Sequence, residues 1–353
     1  MKKSPNPFHG RGTRRNLPNR FERLAYEPSA EEGEEFESPS PETQLISEQA
    51  RSILSNNDSP DIPYSVSINP YRGCEHGCVY CYARTYHEYL GLSSGLDFET
   101  RIYYKANAAQ LLRKELAAES YRPSPMGLCG ATDPYQPLER KLGLTRACLE
   151  VLAEFNHPIL VVTKNHLVAR DIDLLSSLAR CQAAAVTLSV TTLAPDITEC
   201  LEPRTSRPGK RLEAIRRLSE AGIPTGVMIA PVIPGLTDHE IPLILQKAAD
   251  SGATFASWSL LRLPPGIDNL FEDWLEAHFP SKKSKILNRV RAMRGGKLHE
   301  AAFHQRMAGE GFLAEEIRKL FEFASRKAGL EFQGPKLSVN SFRQPGPFQE
   351  LLF

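Results

Sequence analysis

The sequence has no long apolar run. Nowhere do roughly 18 consecutive apolar residues occur, as a helical membrane span needs, and the opening MKKSPNPFHGRGTRRN lacks the apolar segment of a secretory signal. No membrane partner is therefore expected, and the cytoplasm is the expected location. A surplus of charge is also missing: 43 Lys plus Arg stand against 42 Asp plus Glu, and a net charge of +1 argues neither for nor against a polyanionic partner. Cysteine is scarce, and the count of seven is odd. In a reducing compartment this disfavours a disulfide framework. Three of the seven, Cys74, Cys78 and Cys81, fall within eight residues and read instead as metal ligands. Hydrophobic content of 41% is enough for a sizeable core, in one large domain or two ordinary ones.

Residues 1–60 are rich in Pro, Ser, Asn, Arg and Glu and poor in large apolar side chains, and are expected to form a mostly disordered arm. Its charge is segregated, basic from Lys2 to Arg23 and acidic from Glu27 to Glu37. That pattern suits a solvated tail, or a GRGTRRNLPNRF stretch lying on the folded domain or on nucleic acid. From about residue 61 to 266, short β-branched runs alternate with amphipathic helical stretches, the signature of parallel βαβ units. Six strands are predicted: Tyr64–Asn69, Gly127–Ala131, Ile159–Thr163, Ala184–Val190, Thr225–Ala230 and Thr254–Leu260. Helices are predicted between them, among them Leu142–Phe155, Asp171–Arg180, Lys210–Ala221 and His239–Ser251, with Gly222 and Gly252 at left-handed C-cap positions. The fold class is α/β, a partial (β/α)6 TIM-like barrel. An appended C-terminal helical region, 267–333, is predicted to hold Asn269–His278, Lys283–Met293, Leu298–Met307 and Leu313–Lys327. A flexible tail, 334–353, is expected to pack little.

Chemistry concentrates in Ser67-Ile-Asn-Pro-Tyr-Arg-Gly-Cys74-Glu-His-Gly-Cys78-Val-Tyr80-Cys81-Tyr-Ala-Arg84. Thiolates suit iron-sulfur clusters and zinc, and three on one loop can hold three corners of a cubane. The fourth iron is then open to a substrate or cofactor. The remaining cysteines, Cys129, Cys148, Cys181 and Cys200, have no paired spacing that would supply a fourth thiolate. A Cys3His zinc site using His76 is the alternative, hindered because that histidine lies within a tight loop between two ligands. In a TIM-like barrel the reacting groups gather at the C-terminal ends of the strands. Thr132, Asp133, Thr163, Lys164, Ser189, Thr191, the Pro231–Gly235 turn and Arg262 all fall at those ends.

C-x3-C-x2-C after a first strand, with an aromatic residue just before the third cysteine, resembles the signature of radical S-adenosylmethionine (SAM) enzymes. The wider resemblance is to their spore photoproduct lyase-like branch. It is closer still to a bacterial group carrying T-D-P-Y-Q-P, R-P-G and R-M-x-G-x-G stretches, which stand here as Thr132–Pro137, Arg207–Gly209 and Arg306–Gly311. The resemblance covers roughly residues 10 to 330. It implies a 4Fe-4S cluster on Cys74, Cys78 and Cys81, SAM chelated to the open iron, and reductive cleavage to a 5'-deoxyadenosyl radical. An electron donor such as flavodoxin or ferredoxin is implied as a partner. By the same resemblance Tyr80 takes the adenine-contacting position, and Thr132, Lys164 and Ser189 hold the methionyl and ribose groups. Cys129 is either a hydrogen-atom donor, as in spore photoproduct lyases, or a small packing residue.

The implied activity is abstraction of hydrogen from a substrate, with nucleic acid and lyase-type repair chemistry raised by analogy. A radical enzyme acting on a peptide or small metabolite, or a non-catalytic Fe-S or zinc nucleic-acid-binding module, are the other readings. The run Lys282, Lys283, Lys285, Arg289, Arg291, Arg294 and Lys297 has no acidic residue before Glu300. It is read as a phosphate-contacting patch or as a solvated helix face. The terminal Gln349-Glu-Leu351-Leu352-Phe353 resembles the peptide with which bacterial polymerases and repair proteins dock on the sliding clamp. Its alternative is packing against the helical layer.

Overall fold

Ala184–Ser189 is buried at all six positions, the mark of a strand covered on both faces. It lies at the centre of the architecture. The computed structural model of the protein describes residues 8–22, 41–128 and 130–345. In chain order the strands are β1 Gln44–Ser47, β2 Leu54–Asn56, β3 Val66–Ile68, β4 Tyr71–Arg72, β5 Arg101–Tyr104, β6 Met126–Leu128, β7 Ile159–Thr163, β8 Ala184–Ser189, β9 Thr225–Val232 and β10 Phe255–Leu260. The main sheet has the order β10-β9-β8-β7-β6-β3-β2. Its six strands from β3 to β10 are parallel and in sequence order, and β2 closes the β3 edge antiparallel. This is the expected partial barrel, left open among the described residues. The strands β1, β5 and β4 form a separate small sheet. None of these three, nor β2, was predicted, because two to four residues carry no readable alternation.

The helices between strands, such as Leu144–Glu154, Ile172–Arg180, Pro208–Glu220 and Ile241–Asp250, follow the expected spans within a few residues. Gly222 and Gly252 take φ of 75° and 92°, as the left-handed C-cap requires. No described helix is long and apolar enough to cross a membrane. In the C-terminal region, Ile267–His278, Pro280–Ala292 and Phe312–Lys327 are helical as expected. The predicted helix Leu298–Met307 shrinks to Gln305–Ala308. Gly295 and Gly296 precede it at positive φ, and the Glu300 carboxylate accepts from the Ala302 amide at 2.8 Å, a local bond that competes with helix.

Two segments expected to be loose carry specific contacts. Beyond Gly334, Phe342 packs 5.8 Å from the Tyr121 ring, 5.6 Å from His157 and 6.2 Å from Phe155, and the Arg343 amide donates to the Phe155 carbonyl. A single aromatic anchor leaves no periodic signal. Within residues 1–60, Gly10 to Arg15 form a strap across the cysteine loop. The buried Glu99 carboxylate accepts from the Gly12 amide at 2.8 Å, from the Thr13 amide at 3.1 Å and from the Thr13 hydroxyl at 2.9 Å. Arg11 donates to the carbonyls of Glu99 and Pro41. These bonds are polar, which is why a search for apolar content misses them. A Cβ on Gly12 would stand 1.7 Å from the Gly77 carbonyl oxygen. Gly12→Ala is therefore expected to lift the strap at a cost of about 1–3 kcal/mol, lowering the melting temperature and opening Arg11 to Arg15 to trypsin. An unchanged melting curve and digestion pattern would show that the contact is slack.

Candidate active site

The loop after β3 is held by backbone bonds to three neighbours. Cys74 donates its amide to the Phe98 carbonyl at 2.9 Å, Val79 donates to Leu201 at 3.2 Å, and Arg204 donates to the His76 carbonyl at 3.2 Å. Beneath it lies an ion pair with no solvent exposure, Arg84 Nη2 to Glu99 Oε1 at 2.6 Å. Arg84 also donates Nε–H to the Cys78 carbonyl at 2.9 Å. The loop is thereby clamped to the strap through one guanidinium and one carboxylate.

Cys74, Cys78 and Cys81 are free thiols, the first two buried. Burial pushes the Cys78 thiol well up, with Glu202 adding to it, and pushes Cys81 up to about 11, with Cys74 adding to it. A metal bound among them would supply the positive charge that favours the thiolate form. Among the described residues no three His, Cys, Asp or Glu side chains converge on a single ion. A cubane asks for something else, one thiolate on each of three separate irons, and an all-thiol donor set fits it. Both ring nitrogens of His76 have polar neighbours apart from the Cys74 thiol beside it. Its Nδ1 faces Asp133 at 3.4 Å and its Nε2 meets Asn165 Nδ2 at 3.2 Å.

The strand ends meet as expected at one mouth. Thr132 donates its hydroxyl to the Gly73 carbonyl at 2.7 Å, and Gln136 holds the same carbonyl at 3.2 Å while accepting from the Glu75 amide. Asp133, after β6, accepts from Thr163 Oγ1 at 2.6 Å and the Lys164 amide at 2.8 Å, joining β6 to β7. Lys164 Nζ reaches Ser189 Oγ at 2.7 Å, the Ala230 carbonyl at 2.8 Å, Thr191 Oγ1 at 3.2 Å and Glu202 Oε1 at 3.2 Å, joining β7 to β8 and β9. Tyr80 is buried, with its hydroxyl on Glu202 and its ring 5.7 Å from the Lys164 ammonium. Cys129 and the segment Gln349 to Phe353 lie outside the described residues.

Glu202, just after the helix Pro195–Leu201, is the hub of this wall. It is 1% exposed. It accepts from Arg211, Lys164, Thr191 and Tyr80. Burial alone would raise its pKa, but Arg211, Lys164 and the two hydroxyls hold it far below the usual carboxylate range. The only signal in the sequence was a charged residue after a strand, shared with Arg204, which pairs with Glu75, and with Arg207, which pairs on the surface with Glu199. The basic run of helix Pro280–Ala292 is partly neutralised by carboxylates distant in sequence. Lys283 pairs with Glu276, Arg289 with Asp238 and Arg291 with Glu272.

Six parallel strands in sequence order, with a three-thiol loop at their C-terminal mouth, define an open β/α barrel of the kind that houses a cysteine-ligated cofactor. Residues 68–248, from the end of β3 through the helix after β9, match the model of the Radical SAM superfamily, and the chain belongs to that family. An uncharacterized protein of Mycobacterium tuberculosis strain H37Rv is 35% identical over 226 residues, 64% of this chain and 66% of the relative. The chain thus spans just under two thirds of that relative's length. An uncharacterized protein of Methanocaldococcus jannaschii is 26% identical over 248 residues, covering 70% of this chain and 88% of the relative. Among solved structures, spore photoproduct lyase complexed with dinucleoside spore photoproduct aligns with a TM-score of 0.53 at 16% identity, over 82% of this chain and 81% of the other. At that identity the likeness shows the fold.

Because Glu202 is held ionised in the folded chain, the stability it contributes is complete above the ordinary carboxylate range and is lost as pH falls below it. Glu202→Gln is expected to cost about 3–5 kcal/mol at neutral pH, since Arg211 and Lys164 are left facing no charge. The variant's acid-side loss should also be shallower than that of the parent. Denaturant melts from pH 7 to pH 3 test both, and parallel curves of equal midpoint would exclude the hub.

Proposed function

We propose that the chain is a radical SAM enzyme that holds a 4Fe-4S cluster on Cys74, Cys78 and Cys81 and abstracts hydrogen from a substrate at the barrel mouth. The observation that carries this reading is the three-thiol loop at the C-terminal ends of the strands, with His76 held between Asp133 and Asn165. The bound cluster and SAM would together supply a 5'-deoxyadenosyl radical on reduction by a flavodoxin- or ferredoxin-type donor. The chain's own residues then have separable tasks. Arg84 fixes the loop backbone through the Cys78 carbonyl. Thr132 and Gln136 orient the Gly73 peptide just before the first thiol.

Lys164 has three ammonium donors and all are engaged, so a ligand carboxylate must replace one of the two longer contacts, Thr191 or Glu202. Ser189 and the Ala230 carbonyl would keep the ammonium at the mouth during that exchange. Tyr80 closes the floor under it. As to substrate, nucleic acid is the class to test first. The solved neighbour carries a dinucleoside photoproduct, and in this chain the half-exposed rings of Tyr82 and Tyr86 stand beside Cys81 with Arg262 over Tyr82.

Anaerobic reconstitution, reduction and chromatographic detection of 5'-deoxyadenosine test the reading. Alanine at Cys74, Cys78 or Cys81 should remove both the iron and the product, whereas Cys148→Ala in the core should keep them. Product from any of the three loop variants would sink the assignment. Lys164→Ala is expected to retain iron while weakening SAM binding about tenfold to a hundredfold, the size of one hydrogen bond to a charged group. An equal dissociation constant by calorimetry would leave Lys164 a purely structural role.

A further inference from the structure

Among the described residues, the buried side-chain nitrogens without hydrogen-bond partners belong to three residues of the C-terminal half. Nine shielded side-chain polar atoms among the described residues have no hydrogen-bond partner, and four of them are Arg262 Nε, Arg294 Nε, Arg294 Nη1 and His299 Nδ1. The three residues come from different elements. Arg262 follows β10, Arg294 follows the helix Pro280–Ala292, and His299 lies in the irregular stretch before Gln305–Ala308. The two arginines are nonetheless tied to one stretch. Arg294 Nη2 donates to the Leu261 carbonyl at 2.6 Å and to the Arg306 carbonyl at 3.2 Å. Arg262 Nη1 reaches the Met307 sulfur at 3.5 Å.

No carboxylate pairs with Arg262 or Arg294 among the described residues. Three acids that act on this cluster have other partners. Asp61 holds Arg306 and the His304 amide, Glu300 caps the Ala302 amide, and Asp268 accepts from Gly266 and Asn269. Arg294 is 2% exposed and no carboxylate lies within ion-pair distance of it, although Glu300 favours its charge from farther away. Elsewhere in this chain the deeply buried arginines, Arg84 and Arg211, each have a carboxylate. An unpaired buried charge costs several kcal/mol unless something neutralises it.

We propose that Arg262 and Arg294 form a binding site for a phosphate group of the substrate, at the barrel mouth beside the cysteine loop. The location follows from Arg262, whose guanidinium lies 5.3 Å from the centre of the Tyr82 ring, and Tyr82 is the residue after Cys81. Arg262 is only partly buried and meets the phosphate first, with Arg294 supporting it from below as a planar multi-donor group suited to oxyanions. The orphan nitrogens are shielded, so the stretch carrying His299, which starts at Gly295 and Gly296 with φ of 57° and 86°, has to shift to admit the ligand. Burial, with Arg262 adding to it, lowers the Arg294 pKa to about 10, a penalty that a bound anion reverses. The Arg306-Met-Ala-Gly-Glu-Gly311 stretch thereby acquires a task, since its first carbonyl and its methionine sulfur position the two guanidiniums.

This inference rests on the mouth being the substrate side of a radical SAM core, and its test reads binding rather than cleavage so that the two can fail separately. Fluorescence anisotropy and thermal shift on the reconstituted full chain would use three probes: a thymidylate oligomer of about ten residues, thymidine monophosphate, and thymidine, which has no phosphate. The phosphate-bearing probe that binds identifies the source of the group, polynucleotide or free nucleotide. Arg262→Gln and Arg294→Met are each expected to weaken that probe about tenfold and to lower its salt slope by about one. Arg262→Lys, which keeps the charge, should recover part of the loss. If Arg294→Met fails to fold, the two Arg262 variants carry the test. The site is overturned if neither phosphate-bearing probe binds, if binding is equal in parent and Arg262→Gln, or if thymidine binding falls by the same factor. Absent probe binding by a parent protein that still releases 5'-deoxyadenosine would overturn this site alone, whereas absent 5'-deoxyadenosine in the parent would count against the radical SAM reading instead.

Discussion

The Glu99 carboxylate is the fixed point on which the cysteine loop depends. It has no solvent exposure, and a buried carboxylate without compensation is too costly to persist. Its partners are therefore compulsory: Arg84 from the segment after the third cysteine, and Gly12 and Thr13 from the strap. Because Arg84 also holds the Cys78 carbonyl, neutralising one charge sets the height of the thiol loop over the strands. The loop contains two glycines and little regular structure, and its own backbone could not hold three sulfurs in place.

A second buried carboxylate organises the opposite wall. Glu202 draws Lys164, Arg211, Thr191 and Tyr80 toward one point and so joins the ends of β7, β8 and β9 to the cysteine loop. Both hubs are networks in which nearly every donor meets an acceptor, the condition under which buried charge gives a rigid arrangement. The wall formed by Arg262 and Arg294 breaks that rule, having guanidiniums and no carboxylate in ion-pair reach. The contrast between satisfied and unsatisfied walls separates the part of the mouth that holds its own loop from the part built to receive a charged group.

The chain's outlying segments serve the same mouth. The strap lies against Gly77 from one side, and the Arg306–Gly311 stretch supports the arginines from the other. An α/β core of six units leaves its barrel open, and covering its mouth and edge falls to segments outside the repeating units.

The sequence by itself determined the six parallel strands, the helices between them and the placement of three thiols on the first loop, because hydrophobic period and cysteine spacing are local properties. It also determined which polar residues stand at strand ends, among them Thr132, Lys164 and Ser189. Tertiary structure alone decided what those residues touch. Glu202 and Glu99 look like ordinary surface acids until their partners, drawn from as far away as Gly12 and Tyr80, close around them. Arg294 looked like one charge in a basic helical run, and only packing showed that Lys283, Arg289 and Arg291 find carboxylates while Arg294 is buried with none in ion-pair reach. Pairing between charges distant in the chain leaves no periodic trace, so burial and partner, the two quantities that give an ionisable residue its chemistry, became legible only in three dimensions.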